Sequence, residues 1–142
     1  MMRKLIALAS LLLALPAAAA AAGPALPVEI QNSQGIEFYN GGVGLGERGK
    51  MPQLYPLKIV LVTDKGLYLN DAEIVITGKG GNEVLRARAD NGPWLIADVP
   101  PGSYSLKASL EGRTTAASVQ VSAGQKKVVV LSWKTSEIDM GL

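Results

Sequence analysis

The residues with the clearest claim to chemistry form a glycine-rich stretch, Gly44-Leu45-Gly46-Glu47-Arg48-Gly49-Lys50. Its spacing satisfies both G-x-G-x-x-G and G-x-x-x-x-G-K, patterns whose backbone amides hold phosphate at a helix start. Either pattern needs a strand before it and a helix after it. Here Met51 stands where a Mg²⁺-binding Ser or Thr is required, and Pro52 and Pro56 interrupt the helix. The expectation is a surface loop with no nucleotide, metal or other cofactor. Within it, Glu47 and Arg48 could orient a ligand or dock the loop onto a partner. The more ordinary use of such a pair is to tie a loop to its own sheet.

Other chemistry is excluded by residue type. The chain contains no His and no Cys, which removes Ser-His-Asp and Cys-His catalysis, thiolate and imidazole metal sites, and disulfides. Asp64, Asp71, Asp90 and Asp98 each sit beside a turn, where Asp accepts backbone N–H bonds. No D-x-D-x-D-G spacing suggests Ca²⁺, and no carboxylate pair can be nominated for acid–base work. The reading is therefore not an enzyme. Sugar binding would need exposed aromatic faces. Trp94, Tyr104 and Trp133 occupy core-like positions, while Tyr39, Tyr55 and Tyr68 are freer candidates.

The elements that carry these residues begin after an apolar leader. Arg3 and Lys4, the run Leu5 to Leu15, Pro16, and the alanines 17–22 read as a secretory signal peptide cleaved near Ala20 or Ala22. The apolar run is shorter than the ~20 residues of a membrane-spanning helix. No membrane span is expected after cleavage, and the chain is expected in the periplasm or outside the cell. The leader also explains the 48% hydrophobic content and the mean hydropathy of +0.21. With Arg3 and Lys4 gone, the formal charge of +2 disappears, so no nucleic-acid surface is indicated.

All 16 glycines follow the leader, and strand-like runs lie between them. Val28-Glu29-Ile30 and Ile36 to Tyr39 are short candidates for an N-terminal strand or pair. Leu57 to Val62 is apolar on nearly both faces, as in a central strand buried on two sides. Ala72 to Thr77, Glu83 to Ala89, Trp94 to Val99, Tyr104 to Leu110, Arg113 to Val121 and Lys126 to Trp133 follow, separated by Gly, Pro, Asp and Asn turns. No segment has a capped helical period. Asn40 to Tyr55 resists the strand reading and looks like a long loop with at most one helical turn.

Ala97-Asp98-Val99-Pro100-Pro101-Gly102-Ser103-Tyr104-Ser105-Leu106 is the most diagnostic stretch. Its Pro-Pro-Gly-x-Tyr-x-Leu pattern resembles the hairpin of carboxypeptidase regulatory-like domains, members of the transthyretin-like and starch-binding-like sandwich group. Trp94, Ile96, Gly112, Gly124, Val129, Leu131 and Trp133 fit the same pattern, which covers roughly residues 55–133. Residues 39–48 look like the leader of small secreted proteobacterial proteins that carry this domain. The resemblance implies a seven-stranded antiparallel Greek-key β-sandwich, transthyretin-like, and little about function. The hydroxyisourate hydrolase of that fold group depends on His, which is missing. The related Cna-B isopeptide would pair a lysine such as Lys58, helped by an acid such as Glu73, with an Asn on the last strand. No Asn follows Asn91. Lys58 then reads as a strand lysine whose stem packs while its amine reaches solvent.

The resulting organisation is a signal peptide over 1–22, an N-terminal extension and glycine-rich loop over 23–54, the sandwich domain over 55–134 and a C-terminal tail over 135–142. The expected role is an exported binding or structural module whose partner is another envelope protein. A glycan is the alternative. Asn40, Glu47, Arg48 and Tyr55 mark the candidate interaction loop.

Overall fold

The computed structural model describes residues 26–139; the signal-like segment, with Ala20 and Ala22, lies outside them. Nine strands and one short helix follow in the order β1 Gln31–Ser33, β2 Ile36–Gly41, α1 Gly44–Arg48, β3 Leu57–Thr63, β4 Ala72–Gly78, β5 Glu83–Ala89, β6 Trp94–Ala97, β7 Gly102–Leu110, β8 Arg113–Val121 and β9 Lys127–Trp133. A 3-10 turn over Thr135–Glu137 completes the described chain. The strands form two facing sheets, a five-stranded one in the order β9-β3-β6-β2-β1 and a four-stranded one in the order β5-β4-β7-β8. The chain changes sheet after β3, β5, β6 and β8, so β4 pairs with β7 across the skipped β6 in Greek-key fashion.

The strand count exceeds the expected seven because the N-terminal extension joins the sheet. Gln34 and Gly35 both take positive φ (54° and 87°), the two-residue turn that matches strand twist, and fold β1 onto β2. β2 then pairs with β6 and sends Phe38 into the main core. Val28-Glu29-Ile30 is not a strand; Val28 instead packs beside Met51 on the outer face of this sheet. The antiparallel expectation also fails at one pair, since β9 runs parallel to β3. The Lys127 N–H donates to the Pro56 carbonyl at 2.7 Å, placing the start of the last strand beside the start of β3. From there it has to run in the same direction.

Alternation decides what fills the space between the sheets. Leu57, Ile59 and Leu61 of β3 face Ile74 and Ile76 of β4, Leu85 of β5, and Leu106 and Ala108 of β7, all fully buried. Leu95 of β6 and Leu131 and Trp133 of β9 join the same core. Each large aliphatic side chain contributes roughly 1.5–3 kcal/mol by leaving water. The Trp133 indole N–H donates to the Arg113 carbonyl at 3.0 Å, holding the two sheets together along the side where β8 and β9 meet. At the Pro100-Pro101-Gly102 turn the Tyr104 hydroxyl donates back to the Pro100 carbonyl, and burial raises its pKa.

The C-terminal segment is tied down rather than trailing. The Asp64 carboxylate accepts the Thr135 N–H at 2.9 Å and its hydroxyl at 2.6 Å, which lowers the Asp64 pKa. Ile138 is thereby set into the core. Among the described residues no helix is long and apolar enough to cross a membrane.

Two substitutions separate buried from exposed positions. Leu106→Ala should cost about 2–5 kcal/mol, read as a lower denaturation midpoint at unchanged slope. Val128→Thr, on the open face of β9, should stay within about 0.5 kcal/mol of the parent protein.

Candidate interaction surface

The loop after β2 is built by polar contacts that its sequence hides. Asn40 is 1% exposed, yet all its side-chain polar atoms are engaged. Its amide donates to the Gly92 and Trp94 carbonyls at 2.9 and 2.8 Å, and its oxygen accepts the Asn91 N–H at 2.8 Å. This latch holds the turn between β5 and β6 against the end of β2. The backbones approach so closely that a Cβ on Gly92 would lie 2.3 Å from the Gly41 carbonyl oxygen. Only glycine fits there.

Glu47 and Arg48 are adjacent but do not pair with each other. They grip the same short backbone segment from opposite sides. The Glu47 carboxylate accepts the Gly42 and Val43 N–H groups at 2.7 and 3.2 Å, while Arg48 donates to the Gly42 carbonyl at 2.8 Å. The glycine-rich segment is itself a helix of five residues, Gly44–Arg48, rather than a loop that precedes one, so the context a phosphate-binding motif needs is missing. Both side chains thus bond the backbone just beyond the end of β2.

The loop covers part of the outer face of the five-stranded sheet. Tyr39, Met51 and Ile96 form a second small core there, against Leu26, Val28, Tyr55 and Trp94. The Tyr39 hydroxyl donates to the Pro52 carbonyl and accepts the Leu54 N–H at 2.9 Å, and burial raises its pKa despite the latter bond. Tyr55 packs on Tyr39 with ring centroids 5.6 Å apart and donates to Glu37 at 2.8 Å. Desolvation, reinforced by that carboxylate, pushes the Tyr55 hydroxyl up to about 12. Of the four loop residues nominated from sequence, Asn40, Glu47 and Tyr55 are thus committed internally.

Arg48, at a partly exposed position, lies over the Tyr68 ring at 4.3 Å from its centroid. Tyr68 bridges to Val62 of β3, so it continues the sheet row that β6 begins. A matching pair sits one step back, with the Lys58 amine 3.4 Å from the centre of the Trp94 ring. Desolvation there lowers the lysine's pKa. The expected packed stem is present, and the amine rests on an indole.

Between these two cation-on-ring pairs and the sheet edge runs an uncovered strip. β3 presents Val60 and Val62, and β9 presents Val128, Val130 and Ser132 in register beside Lys58, Val60 and Val62. Val128 and Val130 are 56% and 57% exposed, and Tyr68 is 45% exposed. The outward residues of β9, β3 and β6 include no carboxylate. β3 is therefore central in its sheet but half-covered on one side, contrary to the expectation of burial on both.

Of the aromatic side chains, Tyr68 is the most open, at 45% exposed. Phe38, Tyr39, Tyr104 and Trp133 are buried, and Tyr55 and Trp94 are partly covered by the loop. A separate cleft of about 700 Å³ lies at the end of the sandwich where β4, β5, β7 and the C-terminal segment meet, lined by Asp71, Glu73, Arg88, Glu111 and Asp139 among others. Among the described residues no cluster of three or more carboxylates is placed to hold a metal ion. No protein-family model matches the chain, and no curated protein matches it.

Removing the latch should be felt more than removing the surface cation. Asn40→Ala leaves buried carbonyls and an amide unanswered and should cost about 1–3 kcal/mol in urea unfolding. Arg48→Ala, at the surface, should cost less than about 1 kcal/mol.

Proposed function

We propose that this protein is an exported, non-enzymatic β-sandwich module that works by binding another protein of the cell envelope. The observation that carries the reading is the apolar strip of Val60, Val62, Val128 and Val130, bordered by Lys58 and Arg48. A contiguous strip of this kind marks an interaction site more often than a catalytic one. The leader over residues 1–22 supports export, and the resemblance of residues 55–133 to carboxypeptidase regulatory-like domains supports an accessory role. The loop contributes by holding Arg48 and Tyr68 rigid, so the surface is offered in one shape at little entropic cost on binding.

The experiment is site-directed photo-cross-linking in living cells. A photoreactive residue at Val62 should give a discrete adduct with one cellular protein, and the same residue at Arg88, on the outer face of the opposite sheet, should not. Equal adducts from both positions, or none from Val62, would remove the reading.

A further inference from the structure

The open sandwich has four edge strands, and three of them are poor templates for an incoming strand. β1 has only three residues. β5 is occupied at its midpoint, where the Ser33 hydroxyl exchanges bonds with both the N–H and the carbonyl of Arg86 at 3.3 and 3.2 Å. Arg86 is further fixed by ion pairs with Glu73 and Glu83. β8 offers only small or polar outward residues, Thr114, Ala116, Ser118 and Gln120, and its first carbonyl is taken by Trp133.

β9 differs in each respect. It has seven residues and one neighbour, β3, among the described residues. The Lys127 N–H points to β3, so by the alternation of a parallel ladder the odd-numbered residues bond inward. The N–H and C=O groups of Val128, Val130 and Ser132 therefore face away from the sheet. The solvent-facing side chains have the same parity and read Lys126, Val128, Val130, Ser132, Lys134, an apolar centre with a lysine at each end. Among the described residues, none of Lys126, Lys134 and Lys58 is in an ion pair. Lys126 donates to the Leu54 carbonyl at 3.2 Å, on the same outer face. Of the carboxylates near this end, Asp64 is already held by Thr135, and Glu137 pairs with Arg113 at 3.8 Å.

From this arrangement we infer that β9 is a docking edge for an extended segment of a partner protein, apolar in its middle and acidic at both ends, which adds as a sixth strand. The inference rests on the protein-binding reading above and deepens it. A second copy of the chain is the wrong occupant. Antiparallel pairing centred on Val130 would set Lys126 against Lys134 twice, and like charges directly opposed are destabilising. The same lysines that block self-pairing select an acidic strand, while Val128 and Val130 receive its apolar side chains.

The test uses protein expressed from the full-length sequence and a capped nine-residue peptide of alternating Thr and Val with Glu at both ends, followed by amide NMR at low salt. The acidic probe should perturb Val128, Val130 and Ser132, and a lysine-ended probe should not. N-methylating the amides along one edge of the probe should abolish the effect without altering the protein. The double substitution Lys126→Glu, Lys134→Glu should weaken acidic-probe binding about tenfold, since each reversed cross-strand pair works against it. Equal binding of both probes, perturbation centred away from β9, or none at millimolar probe overturns strand addition. Concentration-dependent shifts of the same amides without probe would assign the edge to a second copy and overturn it too. If the Val62 adduct persists while β9 stays unperturbed by the probe, the protein-binding reading stands and strand addition alone is lost.

Discussion

Two open sheets packed face to face leave edge strands whose outward amides and carbonyls have no neighbour, and such edges invite pairing with other chains. Most of this molecule can be understood as its answer to that constraint. On one side the short hairpin of β1 and β2 extends the five-stranded sheet, and Ser33 reaches across to satisfy β5 at Arg86. On the other side Trp133 bonds to Arg113 and leaves β8 lined by small and polar residues. Only β9 keeps an apolar outward row, and there the lysines at its ends confine what can pair with it.

The loop and the sheet face act as one unit in this account. Asn40 pins the turn that begins β6, Gly92 admits the close approach, and Glu47 and Arg48 clasp the Gly42 backbone. The outcome is a rigid margin from which Arg48 lies over Tyr68, next to the valines of β3 and β9. Glu47 and Arg48 of the glycine-rich loop thereby fix the boundary of a surface formed by strands.

The sandwich itself was legible because its inward positions alternate cleanly. Tyr104, Leu106 and Ala108 of β7, and Leu85, Ala87 and Ala89 of β5, face the core as their spacing requires. The turns were legible from Glu111-Gly112 and Pro100-Pro101-Gly102. The β1–β2 hairpin was harder to see, because Gln34 adopts positive φ without being Gly, Asn or Asp, and the strand of Gln31–Ser33 is wholly polar. The parallel closure of β9 on β3 depends on where the chain re-enters after β8, which no local pattern encodes. The site was the least legible part. Trp94 and Ile96 are apolar, and only the second core shows that they face outward under a loop rather than inward. The open row of β9 reads locally like any buried strand, since Val128-Val129-Val130 carries no mark of which valine meets water.

The central claim is that the outer edge of β9 is unpaired in the isolated protein. Residue-resolved hydrogen–deuterium exchange measures this directly. The account predicts alternation along the strand, with slow exchange at Val129, Leu131 and Trp133, whose amides bond to β3, and fast exchange at Val128, Val130 and Ser132. Uniform protection of all six amides in the monomer would show that the edge is already covered, and would contradict the account.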